Sequence, residues 1–135
     1  MGEISNNPIL SRKHYYDFVI SNQDEEYAII HYWSNLKGEE DATVTITNPE
    51  KMPVYFRFAM NKLTDYRPFL LNYLKGRLTP LNRMFLYDQL VKEGIDPNDW
   101  ITRLKLCGGR HMEDNDSVEV VDLGFGDTWW FLIQT

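Results

Sequence analysis

The spacing of apolar and polar positions changes period several times along the chain, and each change marks an expected element. His14 to Ile20, HYYDFVI, is dense in aromatic and β-branched residues and runs into the polar SNQDEE. It reads as a strand ending at Ser21. Residues 24–36 fit two templates. YAIIHYW suits the second strand of a hairpin, but Asn22 with Glu25 three residues on forms a capping-box pattern. Acids crowd the following turn, Tyr27, Ile30, Trp33 and Leu36 recur at every third residue, and Gly38 follows Lys37. These end signals favour a helix.

ATVTIT, residues 42–47, alternates as a half-buried strand does, and MPVYFRFAM, residues 52–60, reads as its partner across the loop TNPEKMP. Three helices follow. The first runs from Thr64 to Gly76 with Phe69, Leu70, Tyr73 and Leu74 as its stripe. The second has Thr79 as N-cap, Pro80 next and Gly94 with Ile95 as a Schellman end. The third starts near Asp96 and Pro97 and stops at Gly108 and Gly109. Residues 117–123 alternate again, GFGD supplies a turn, and the apolar TWWFLIQT completes a second hairpin. At least one of Trp129 and Trp130 belongs in the core, because neighbours on a strand face opposite ways. The predicted order is β-α-β-β-α-α-α-β-β: a single α+β domain over residues 1–135, with a mainly antiparallel sheet of about five strands, three or four helices, and a flexible segment at residues 1–12.

Composition narrows the class. A chain of 135 residues that is 43% hydrophobic and 14% aromatic can build one core. It has no run long and apolar enough for a membrane span, and its start lacks the pattern of a secretory leader. With Cys107 as the one cysteine, the expected compartment is reducing, hence cytoplasmic.

The net charge of −6 argues against wrapping nucleic acid, yet it hides a segregation. From Ser21 to Glu50 seven acids meet only Lys37; from Lys51 to Arg110 eleven bases meet five acids; from His111 onward six acids meet no base. Such blocks bear on partners rather than on fold.

Candidate chemistry is sparse. CGGRH, residues 107–111, brings a thiol, a cation and an imidazole together, so Cys107, Arg110 and His111 could line the pocket of a small enzyme or ligand binder. The plainer reading makes Cys107 the last apolar residue of a helix and the glycines its cap. His14, His31 and His111 lack metal-ligand spacing, and no phosphate-binding or cofactor motif is present, so neither metal nor cofactor is expected. The basic middle, with Arg67, Lys75, Arg77 and Arg83 among tyrosines, could hold phosphates. Trp33 and Trp100 are candidate docking anchors. In size, acidity and aromatic content the chain resembles small bacterial or phage accessory proteins, including immunity proteins and inhibitors of host defence. The resemblance and the charge blocks together imply a non-catalytic binding protein that docks a macromolecular partner, a protein in the first instance and nucleic acid as the less favoured choice.

Overall fold

The computed structural model describes residues 8–78, 85–110 and 115–126. A single turn of helix, α1 (Pro8–Ser11), leads into β1 (Lys13–Asn22), β2 (Glu25–Ser34) and β3 (Glu40–Ile46). After a 3-10 turn at Pro49–Lys51 come α2 (Val54–Lys62), α3 (Arg67–Lys75), α4 (Leu86–Lys92) and α5 (Trp100–Cys107), and then β4 (Asp116–Gly126). The fold is α+β, with four strands among the described residues in the order β3-β2-β1-β4 and every neighbouring pair antiparallel.

Two expected elements exchange type. Residues 24–36 are not a helix: Glu25–Ser34 is β2, joined to β1 by a two-residue turn in which Gln23 and Asp24 both have positive φ (52° and 66°). That is the backbone of a type I′ hairpin, whose twist matches the strands it joins. Asn22, read as a helix cap, instead pairs with Glu25 across the hairpin. Residues 52–60 are not a strand either. Val54–Lys62 is helical, with Phe56 and Ala59, three apart, buried against the core. The apparent alternation of Val54, Phe56 and Phe58 is one buried ring between two exposed side chains, so packing overrides strand propensity.

Thr64 does not cap the helix expected from it: α3 starts at Arg67, after Tyr66, with no side-chain cap, whereas other end signals hold. Ile95 N–H bonds Leu90 C=O at 2.8 Å and Gly94 N–H bonds Val91 C=O at 3.0 Å, the paired bonds of a Schellman end. Asp99, three residues after Asp96, is the actual cap of α5 and accepts the Thr102 N–H at 3.1 Å. Residues 124–126 do not form the expected turn. They continue β4 through a bulge opposite Tyr15 and Tyr16, with Gly124 at φ 84°. The Thr79 cap, Arg83, His111 and the strand TWWFLIQT lie outside the described residues.

One face of the sheet carries Phe18 and Ile20 from β1, Ala28, Ile30 and Tyr32 from β2, Ala42 from β3 and Val118 from β4. Register places Phe18 beside Ile30, and Ile20 between Ala28 and Val118. Phe56, Leu70, Leu74 and Leu104 from α2, α3 and α5 pack onto this layer, so the helices share one side. No helix among the described residues is long and apolar enough to cross a membrane.

Candidate functional site

The densest polar cluster is centred on Asp116, the first residue of β4. Its buried carboxylate accepts bonds from Asn22 Nδ2 at 2.8 Å, from the Tyr27 hydroxyl at 2.8 Å, and from the hydroxyls of Tyr55 and Tyr73. The donors come from β1, β2, α2 and α3, so one side chain ties four other elements to β4. Arg77, just past α3, is buried next to it. Its guanidinium donates to Gly109 C=O and, at 3.2 Å, to Asp116 C=O, and it lies over the Tyr73 ring at 5.0 Å.

A carboxylate has about four lone-pair directions. Oδ1 accepts from Asn22 and Oδ2 from the three tyrosines, so most of this capacity is committed within the protein and the carboxylate serves as a joint between elements.

Burial above all raises the phenols of Tyr27 and Tyr73, with the nearby Asp116 and the neighbouring tyrosines adding to it for Tyr73. Tyr16 is pushed up to about 12 and Tyr32 further, again chiefly by burial. A phenol whose folded pKa lies above the unfolded value of about 10 favours the protonated native state. Its contribution is complete below pH ~10 and is lost as pH climbs through the folded value. Of the eight tyrosines, these four should therefore ionise late and together with unfolding. Their tyrosinate absorbance should appear only as the circular dichroism of the fold is lost. One smooth rise with the fold intact would contradict the assignment.

The charge blocks meet one another. Lys51 Nζ is 2.9 Å from Glu25, Lys75 Nζ is 3.0 Å from Glu40, Arg67 is 3.5 Å from Asp41, and Arg110 is 3.9 Å from Asp24. Each joins a base of the 51–110 stretch to an acid of the 21–50 stretch. Glu40 shows the effect: burial alone would raise its pKa, but bonds from the Tyr32 hydroxyl at 2.6 Å and from Lys75 hold it below the ordinary carboxylate range.

Of the candidate basic residues, Arg67 and Lys75 are thus paired and Arg77 is turned inward. Trp100 is partly buried and packs against the core, stacked on Phe18 at 5.8 Å and edge-on to Tyr32 at 5.4 Å, with Lys75 over its ring at 5.3 Å. Trp33 is half-buried beneath Lys13, whose Nζ lies 4.1 Å from the ring centre. Cys107 ends α5, with Gly108 at φ 66° as the expected cap, yet it is exposed rather than a buried small hydrophobe. Arg110 is also exposed. Among the described residues no group of three His, Cys, Asp or Glu side chains could hold a metal.

One constellation has no signal in the sequence. On the sheet face opposite the helices, His31 Nδ1 lies 2.8 Å from Asp17 Oδ1 and His31 Nε2 lies 2.8 Å from Thr45 Oγ1. Hydroxyl, imidazole and carboxylate in series have the order of a nucleophile, its base and its orienter. A nucleophile of that kind also needs donors for the developing oxyanion. Thr45 lies on β3, the edge strand of the described sheet, and His31 is buried on its neighbour β2. The trio is a polar strap across three strands. Only register reveals it: Asp17 is opposite His31, and Thr45 lies diagonally from His31, two residues beyond its partner Thr43.

The class these features define is a small α+β protein with a buried polar joint and several exposed apolar side chains on its helices. No family model matches the chain, and neither a curated protein nor a solved structure matches it.

Proposed function

We propose that the protein is a non-catalytic binding protein that docks a protein partner on the outer ridge of α2. One observation carries this reading: Val54 and Phe58, one helical turn apart, are 81% and 63% exposed, with Tyr55 beside them at 41%. Large apolar side chains grouped on one short helix are the usual mark of a contact surface, and aromatic residues dominate the energy of such contacts. The ridge is preorganised, because Tyr55 is anchored through its hydroxyl to Asp116 and Phe56 is locked between Tyr27, Phe69 and Tyr73. Rigid contact residues lose less entropy on binding. Arg57 and Lys62 flank the ridge, which favours a partner whose apolar surface is rimmed by acids.

Support for docking therefore rests on apolar exposure and no longer on segregated charge, since the acidic and basic blocks pair within the fold. Arg67 and Lys75 are engaged with acids and Arg77 is turned inward, so nucleic-acid binding is the less favoured reading. The Val54→Asp and Phe58→Asp double variant should unfold within about 0.5 kcal/mol of wild type, as surface changes do, and should lose the partner. Loss of stability matching the loss of binding would instead mean that the ridge serves folding.

A further inference from the structure

A chain of aromatic rings that docking on α2 does not use runs along β1. Trp100 is edge-on to Tyr32 at 5.4 Å, Tyr32 lies 6.2 Å from Tyr16, and Tyr16 stacks on His14 at 4.2 Å between centroids. Phe18 gives a second link, 5.8 Å from Trp100 and 6.2 Å from Tyr16. Phe125 closes the far end, 4.3 Å from the His14 ring. Both tyrosines of the chain have a base at the hydroxyl: Tyr16 Oη is 3.1 Å from His14 Nδ1, and Tyr32 Oη is 2.6 Å from Glu40 Oε2. We propose that Tyr16 is a redox-active tyrosine, which gives one electron to an oxidised Trp100 and its proton to His14.

One-electron oxidation makes a phenol a very strong acid, so the radical settles where the proton has the best acceptor. His14 Nε2 lies 2.7 Å from Asp122 Oδ1. In the neutral ring this contact takes the Nε2–H and leaves the Nδ1 lone pair for the Tyr16 hydroxyl. The proton then arrives on an imidazole already beside a carboxylate, so the charge it brings is balanced at once. Glu40 is the poorer acceptor. An ordinary glutamate is about a hundred-fold less basic than an imidazole, and against the effect of burial the bonds from Tyr32 and Lys75 hold Glu40 lower still. In the resting protein Tyr16 keeps its proton, because burial, with Asp122 and Asp99 adding to it, pushes its pKa up to about 12.

The step balances. An oxidising radical takes one electron from Trp100 and is itself reduced. Trp100 recovers that electron from Tyr16, the Tyr16 O–H bond breaks, and the proton joins His14 Nδ1. A neutral phenoxyl radical and an imidazolium paired with Asp122 remain. Rings at these separations touch one another, so the electron passes directly between π systems, and the oxidising equivalent leaves the core for the start of β1. None of this involves the α2 ridge or the Asp116 joint, so it stands or falls separately from partner docking.

The test is pulse radiolysis of the full chain with azidyl radicals, which oxidise indole side chains. Tryptophanyl absorbance should convert to tyrosyl absorbance in a fast phase whose rate is independent of protein concentration and falls in D2O, since an O–H bond breaks. Tyr16→Phe keeps the ring and should remove that phase. His14→Gln keeps a hydrogen-bond acceptor that cannot hold the proton, and should slow the phase about 100-fold, the lower end of what a positioned proton acceptor contributes. Imidazole added to His14→Ala should restore part of the rate. An unchanged fast phase in Tyr16→Phe would place the radical on another tyrosine, and an unchanged rate in His14→Gln would leave His14 only a prop for the ring; either overturns the proposal. So does a rate that rises with protein concentration, or the absence of any D2O effect, both of which are read on wild type and need no variant to fold.

Discussion

Asp116→Ala is expected to cost about 4 kcal/mol of stability, near the middle of the range for breaking a buried charged partnership. The substitution strands the hydroxyls of Tyr27, Tyr55 and Tyr73 and the amide of Asn22 beside a buried Arg77. Each buried donor left without an acceptor costs about 1–3 kcal/mol, and water entering the gap recovers part of that. Against a total of roughly 5–15 kcal/mol for a domain, the variant should keep about 1–11 kcal/mol and so remain folded, with a much lower urea midpoint. Asp116→Asn keeps the shape and one acceptor oxygen, so it should lose less. Tyr73→Phe removes a single bond to a charged group and should cost about 1.5–3 kcal/mol. Urea unfolding of the three variants orders them. An Asp116→Ala midpoint close to wild type would mean that the joint does not hold the helices to β4.

Gly109→Ala should rank next. Gly109 has φ 63°, and a Cβ built on it would lie 2.5 Å from Val118 Cβ and 3.0 Å from the Val118 backbone nitrogen. The side chain cannot retreat easily, because Val118 N–H is bonded to Gly108 C=O at 2.8 Å and Val118 belongs to the core. Left-handed strain of about 1–2 kcal/mol and overpacking of about 1–3 kcal/mol together predict a loss near 3–4 kcal/mol. Gly38→Ala and Gly94→Ala are the controls. Both glycines also have positive φ, but open space surrounds them, so only the backbone strain should appear. Thermal unfolding separates the cases, and equal losses at all three positions would show that crowding at Val118 is not felt.

Patterns that depend on neighbours in the chain were legible in the sequence. The strand at 14–20, the alternation at 42–47, the helices after Arg67 and the Schellman end at Gly94 all rest on local spacing and capping chemistry. Residues 24–36 were not legible, because Asn22 and Glu25 satisfy a capping-box pattern and a two-residue hairpin equally well. What decides is the pairing of β2 between β1 and β3, which is not local. Residues 54–62 misled for the opposite reason: strand-prone side chains form a helix whose outer face is itself apolar.

The functional clusters were least visible. Asp116 lies 89 residues from Tyr27 and 43 from Tyr73, and nothing in EDNDSVE distinguishes this acid from its neighbours. The segregated charges were plain in the sequence, but their mutual pairing was not, since it depends on Lys75 reaching Glu40 and Lys51 reaching Glu25 across the fold.

The most direct test of the docking surface is photo-crosslinking in the protein's own cells, with benzoylphenylalanine placed at position 58 on the α2 ridge or at exposed position 45 on the opposite sheet face. The proposal predicts a discrete adduct with another protein from position 58 and none from position 45, suppressed when Val54→Asp is added. No adduct at 58, the same adducts from both positions, or an adduct only with a second copy of this chain would contradict it.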